Sequence, residues 1–276
     1  MKVEISEHAG FCYGVMRAIR IADDALLKHK KIYSLGPIIH NPQVVAEYEK
    51  KGMKVIEKLE DAEGPVLIRS HGAPPSVYER IKEMGLEYID ATCPFVKEAQ
   101  RFAENLYKEG YKVVVFGDEK HPEVKAHLGY TDYTATVICT PMQAKDIKAS
   151  RVGVVCQTTQ SVEMFGKTIG ELAKRIRELK VYNTICDATE KRQKAAEELA
   201  KRSDVMIIIG GKNSANTRKL YEISSHYTQA YHIETEDELK PEWFENRELI
   251  GITAGASTPT YIIQRVYNRI REMVNG

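Results

Sequence analysis

The sequence predicts an α/β protein in which one β–Cys–α–β unit with parallel strands is used three times. Three observations carry this. Cys12, Cys93 and Cys186 each open a stretch of helical periodicity; each stretch leads into a continuous apolar run; and each run closes on a glycine 24 residues beyond its cysteine (Cys12 to Gly36, Cys93 to Gly117, Cys186 to Gly210). Self-similarity at fixed spacing is the mark of a repeated structural unit.

The first predicted helix covers 15–29, with Val15, Ile19, Ala22 and Leu26 on one face. The second covers 95–109, with Val96, Ala99, Ala103 and Leu106 at the same spacing, and the third covers 189–202. The runs that follow, IYSLG, VVVFG and VMIIIG, show no polar alternation, as expected of parallel strands covered on both faces. Four residues after each glycine stands a polar residue, His40, His121 or Ser214, near an expected helix start. Pro42 and Pro122 fit the first helical position, where a missing N–H costs nothing.

A later strand in each unit ends in a second polar turn: VLIRSHG with His71, VGVVCQTT with Thr158, IGITAGAS with Ser257. A helix follows, and then a strand, EYIDATC or YNTIC, leads into the next cysteine. After the helix at 260–274 no such strand remains; VEISEHAGFC at the other end of the chain supplies it. The expected units are therefore 13–93, 94–186, and 187–276 completed by 1–12. Ligands of open α/β sheets bind beyond the carboxyl ends of the strands, where all these polar residues fall. Packing around a pseudo-threefold axis would bring the three cysteines and this polar set together.

Composition narrows the function. Forty Lys+Arg against 39 Asp+Glu leave a net charge of +1, so no basic excess points to nucleic acid. No apolar run approaches the roughly 20 residues of a membrane span. Five cysteines, an odd number, with no signal-type segment at the start, are expected of a reducing cytoplasm. No C-x-x-C occurs, which excludes zinc-finger and thioredoxin-like patterns.

Structural zinc takes four closed ligands, and an iron–sulfur cluster usually takes four cysteines. A cubane held by three leaves one iron open to substrate. Cys139 and Cys156, in the runs TVIC and VGVVC, lie outside the repeat position and read as small core residues. His40, His71 and His121 at repeat-related turns, with Thr158, Ser214, Asn216 and Ser257, suit an anion cradle, since helix N-termini offer free N–H groups to phosphate. GGKNSANT is not a Walker loop. Glu123, two residues after His121, reads equally as a first-turn acid complementing a helix dipole and as a proton donor whose pKa burial raises.

Nine ordered segments, HAGFCYGVMRAI, LGPIIHNP, IRSHG, DATCP, HPEV, QTTQS, TICDAT, GGKNSANT and TAGASTP, resemble the 4-hydroxy-3-methylbut-2-enyl diphosphate reductase family over nearly the whole chain. The resemblance implies a trefoil of three α/β units around a [4Fe-4S] cluster with one open iron, ligated by Cys12, Cys93 and Cys186. It implies that His40, His71, Ser214, Asn216 and Ser257 bind the diphosphate, that His121 and Thr158 contact the hydroxyl end, and that Glu123 donates protons. The implied reaction is the two-electron reductive dehydroxylation that ends the non-mevalonate isoprenoid route and yields isopentenyl and dimethylallyl diphosphate. An external donor of ferredoxin or flavodoxin type is implied, since no reductase domain is present. Where the family often reads N-S-S-N this chain has Ala215, which removes one hydroxyl from the cradle. Two other readings of the same residues are a non-redox iron–sulfur dehydratase and a zinc-bearing phosphate-binding protein.

Overall fold

Helix-forming stretches and apolar runs alternate along the chain, and each becomes one element of a computed structural model that describes residues 1–275. Gly276, the last residue of the expected third unit, lies outside them. The chain begins with β1 (Lys2–Ile5), α1 (Tyr13–His29), β2 (Ile32–Leu35), α2 (Pro42–Lys50), β3 (Met53–Ile56), β4 (Val66–Ile68), α3 (Pro75–Glu83) and β5 (Tyr88–Asp90). It continues with α4 (Pro94–Lys108), β6 (Lys112–Phe116), α5 (Pro122–Gly129), β7 (Thr136–Ile138), β8 (Arg151–Cys156), α6 (Val162–Ala173) and β9 (Glu178–Val181). The last stretch holds α7 (Asp187–Ala200), β10 (Val205–Ile209), α8 (Ala215–Tyr227), β11 (Gln229–Ile233), β12 (Leu249–Ala254) and α9 (Thr260–Asn275).

Three four-stranded sheets result, with strand orders β3-β2-β4-β5, β7-β6-β8-β9 and β11-β10-β12-β1. Every pairing among them is parallel, which a chain can achieve only through crossover segments such as these helices. The topology is the same each time. The third sheet takes its edge strand from the start of the chain, with Lys2, Val3, Glu4 and Ile5 in register with Leu249, Ile250, Gly251 and Ile252.

The repeat extends to single hydrogen bonds. Gly36, Gly117 and Gly210 each donate a backbone N–H to the carbonyl of an isoleucine, Ile56, Ile138 and Ile233, at 2.8, 2.9 and 2.9 Å. After β4, β8 and β12 the chain turns through Arg69–Gly72, Gln157–Gln160 and Gly255–Thr258, each closed by a bond from the fourth residue's N–H to the first residue's carbonyl.

The chain divides into two compact bodies. One comprises residues 1–15, 40–44 and 187–276, with the sheet β11-β10-β12-β1; the other comprises 16–39 and 45–186, with the other two sheets.

In the first body the apolar run of β10 is explained by its two faces. Val205, Ile207 and Ile209 pack with Ile262, Ile263, Val266 and Ile270 of α9, while Met206 and Ile208 pack with Ala196, Leu199 and Leu220 of α7 and α8. In the second body Val114 and Phe116 of β6 face Phe165 and Leu172 of α6, and Val113 and Val115 face Ala103 and Leu106 of α4. Gly153 in β8 lets α4 approach, since a Cβ there would lie 2.6 Å from the Leu106 side chain.

Ile207 is fully buried at the centre of its sheet. Ile207→Ala should destabilise the body that contains it by about 2–5 kcal/mol, read as a lowered denaturation midpoint.

Candidate active site

The three repeat cysteines occupy one structural position. Each directly precedes the first residue of a long helix, α1, α4 or α7. Each donates its backbone N–H to the carbonyl two residues past the end of the sheet's third strand: Cys12 to Ala256 at 3.2 Å, Cys93 to Ser70 at 3.0 Å, Cys186 to Thr158 at 3.0 Å. The sulfurs sit at the positive ends of helix dipoles and are partly exposed, a setting suited to anionic sulfur ligands. That donor chemistry fits an iron–sulfur cluster.

Two arginines that the spacing did not single out hold these loops. The Arg192 side chain, 3% exposed, donates to the carbonyls of His8 and Gly10, both at 2.9 Å, just before Cys12. His8 has φ of 63° and Gly10 of 99°, so the clamp holds backbone in the left-handed region. Arg17 donates to the Thr92 carbonyl at 3.0 Å, next to Cys93.

Cys156 is fully buried, and burial, then the nearby Glu123 carboxylate, push its thiol well up. A thiol kept protonated is a poor metal ligand. Cys139 corrects the sequence reading: it lies just beyond β7 and is exposed, not a core residue.

In the second body Glu123, at the start of α5, is 1% exposed. Its Oε1 accepts the Thr158 backbone N–H at 2.6 Å and its Oε2 accepts the Thr158 hydroxyl at 2.8 Å. His127 Nε2 lies 3.6 Å from Oε1. Burial alone would raise this carboxyl, as the sequence reading supposed. The imidazoles of His127 and His121 and the Thr158 N–H outweigh burial and hold it below the usual carboxylate range. The first-turn acid and the buried carboxyl are thus the same group, ionised in the ligand-free chain.

His121 caps α5: its Nδ1 accepts the Glu123 N–H at 3.3 Å, which places the proton of the neutral ring on Nε2. Burial, aided by the Arg69 and His127 charges, pushes this histidine down. The His71 ring meets it edge to face, centroids 5.3 Å apart.

In the first body Ser214 caps α8, its Oγ accepting from Thr217 N–H at 3.2 Å, and so keeps its own proton to donate. Asn216, in the first turn, is 4% exposed, and neither amide atom has a hydrogen-bond partner among the described residues. A buried, unsatisfied amide at a helix N-terminus fits a polar ligand. Ser257 donates to the His40 carbonyl at 3.0 Å. Gly211 is required there, since a Cβ would lie 2.6 Å from that carbonyl.

Structure shifts two of the expected equivalences by one residue. Asn41, not His40, caps α2, its Oδ1 accepting from Val44 N–H at 3.0 Å. The three turns after β4, β8 and β12 equate His71 and Ser257 with Thr159, while Thr158 matches Ser70 and Ala256. His127 was missed altogether; its signal was a histidine four residues after Glu123 on one helix.

Fold and side chains define a class: an α/β enzyme whose parallel-sheet unit occurs three times, with a cysteine at the head of one helix in each. A family model described as "LytB protein" matches residues 3–271. A 4-hydroxy-3-methylbut-2-enyl diphosphate reductase of Aquifex aeolicus (strain VF5) is 48% identical over 99% of this chain and 96% of its own length. One of Trichlorobacter lovleyi is 46% identical over the full length of both. Two solved structures are similar. One is (E)-4-hydroxy-3-methyl-but-2-enyl diphosphate reductase, the terminal enzyme of the non-mevalonate pathway, with TM-score 0.72, 47% identity, and 99% and 100% of the two chains covered. The other is the E-1-hydroxy-2-methyl-but-2-enyl-4-diphosphate reductase from Plasmodium falciparum, with TM-score 0.93, 28% identity, and 96% and 86% covered. The chain belongs to the LytB family of 4-hydroxy-3-methylbut-2-enyl diphosphate reductases.

His121 binds its proton more weakly folded than unfolded, so the unfolded chain takes up the proton first as pH falls through the ordinary value of 6.5. Its contribution is intact above 6.5 and is lost as pH falls toward the depressed folded value. His121→Asn keeps a capping acceptor but cannot titrate. Thermal midpoints measured from pH 8 down to pH 5 should fall less steeply for His121→Asn than for the parent.

Proposed function

We propose that this chain reduces 4-hydroxy-3-methylbut-2-enyl diphosphate, taking up two electrons and two protons and releasing one water, to give isopentenyl and dimethylallyl diphosphate. One observation carries the reading. Thr158 binds both oxygens of the Glu123 carboxylate and, through its own carbonyl, the N–H of Cys186. A buried acid and a repeat cysteine are thereby held by one residue. The names of the relatives supply the substrate class.

Cys12, Cys93 and Cys186 would hold one [4Fe-4S] cluster with one iron left without a protein ligand, supplying electrons and a Lewis acid when bound. The chain's own groups do the rest. Ser214 and Ser257 hydroxyls, the Asn216 amide, and the His40 and His71 rings take the diphosphate, with the α8 N-terminus favouring its charge. Ala215 contributes at most its backbone N–H. His121, with its proton on Nε2, and the Thr158 hydroxyl face the hydroxyl end. Glu123 delivers the proton. A bound diphosphate adds negative charge, which drives a nearby carboxyl toward its protonated form. Burial of Glu123 at 1% exposure keeps bulk water from competing with it.

Electrons come from a separate carrier of ferredoxin or flavodoxin type. No described helix is long and apolar enough to cross a membrane. A cytoplasmic location suits thiols that must stay reduced.

Anaerobically purified protein should carry iron and sulfide and be brown. Cys12→Ser, Cys93→Ser or Cys186→Ser should each lose the iron and the turnover, while Cys139→Ala and Cys156→Ala keep iron near the parent level. Loss of iron on Cys156→Ala with none on Cys186→Ser reverses the ligand assignment.

Glu123→Gln keeps size and hydrogen bonding but has no transferable proton. Turnover with an artificial electron donor should fall by roughly 10²–10⁴ while the substrate affinity, titrated anaerobically, changes little. Near-parent turnover would mean that another group delivers the proton.

A further inference from the structure

We propose that His127 is a positioning residue that, with Thr158, holds the Glu123 carboxylate and fixes the acid in one orientation. The inference rests on Glu123 as the proton donor.

The geometry is that of a closed pair. His127 is fully buried, and Glu123 is 1% exposed. The two stand four residues apart on α5, on the same face, with Nε2 3.6 Å from Oε1. Neither ring nitrogen has a hydrogen-bond partner among the described residues. A leucine or phenylalanine would fill the space without burying two polar nitrogens, so a histidine used only as filler is a net cost. The nearby carboxylate is what offsets that cost.

Among the described residues, few groups surround the Glu123 carboxylate. From the start of α5 comes His121, whose Nδ1 already accepts the Glu123 N–H. From β8 comes the Cys156 thiol, and from the turn beyond it Thr158. The Arg69 guanidinium and the Asp118 carboxylate act on His121. Thr158 supplies two hydrogen bonds, and His127 adds a ring nitrogen 3.6 Å from Oε1.

The test uses the anaerobic holoenzyme of His127→Leu and His127→Gln, with iron content, kcat, KM and the pH profile of kcat measured for each. With His127→Leu, kcat should fall roughly 10–100-fold, the scale of a misplaced catalytic group, with KM within about threefold of the parent. Its Glu123 carboxyl should also titrate at higher pH, because burial is then opposed only by Thr158 and His121. An infrared C=O band of a protonated carboxyl, absent once Glu123→Gln is added, reports this directly. His127→Gln can still donate N–H to Oε1 and should recover most of kcat. Parent-like kcat and pH profile in His127→Leu overturn the proposal; so does a His127→Gln enzyme no better than His127→Leu. If His127→Leu fails to retain iron, His127→Gln decides alone: a kcat near the parent with a carboxyl band moved to higher pH supports the role, and an unmoved band overturns it. Failure of the donor reading is separable, since it shows as turnover in Glu123→Gln while the infrared band still reports His127 acting on Glu123.

Discussion

The hydrogen bond from each repeat cysteine's N–H to a turn carbonyl is the constraint on which the rest depends. It ties the head of a long helix to the end of the third strand of a sheet, so strand, turn and helix dipole meet at one place. Everything chemical in the chain is arranged around those places. The turn residues are Ser70 and His71, Thr158 and Thr159, Ala256 and Ser257; the helix starts carry Cys12, Cys93 and Cys186. A side chain at such a junction inherits its position from backbone bonds in a packed sheet, which is how a polar group can be aimed without a loop free to wander. Arg192 and Arg17 show the same demand from the other side, since each spends a guanidinium on carbonyls next to a cysteine.

Several buried polar groups are left incompletely satisfied where the chain's chemistry is placed. Asn216 has an amide without partners among the described residues, and His127 Nε2 stands 3.6 Å from Glu123 Oε1, too far for a good hydrogen bond. Elsewhere the cores are conventional: alternate residues of β6 and β10 pack against helices on both faces with no polar interruption. Unsatisfied polar groups at a candidate site are what a ligand or a reaction can complete.

The three repeated units and the borrowed first strand were legible because they follow from backbone rules. An apolar run of five residues between a helix and a glycine has few ways to pack, and equal spacing three times over removes most of the rest. What stayed illegible depends on contacts between residues far apart in sequence. Thr158 meets Glu123 for a reason the repeat did not give, since the turn equates it with Ser70 and Ala256 rather than with His71. Cys139 looked like its neighbours Val137 and Ile138 but falls one residue past the strand, where the side chain is exposed. Nothing in the spacing singled out Arg192 or Arg17, and only tertiary structure shows their carbonyl partners.

Glu123 carries the sharpest lesson, because its burial and its charge argue in opposite directions. Depth alone predicts a neutral acid. The hydrogen bonds from Thr158, with two imidazoles nearby, make the ion the stable form in the empty chain. In the proposed role of proton donor, Glu123 starts deprotonated, and the arrival of negative charge is what can reverse it. Burial then becomes useful: with water excluded, the carboxyl responds strongly to each charge placed near it, in a medium where a few ångströms matter more than in solvent. The same low-dielectric setting that makes Glu123 costly to hold as an ion makes it sensitive to any anion that binds close to it.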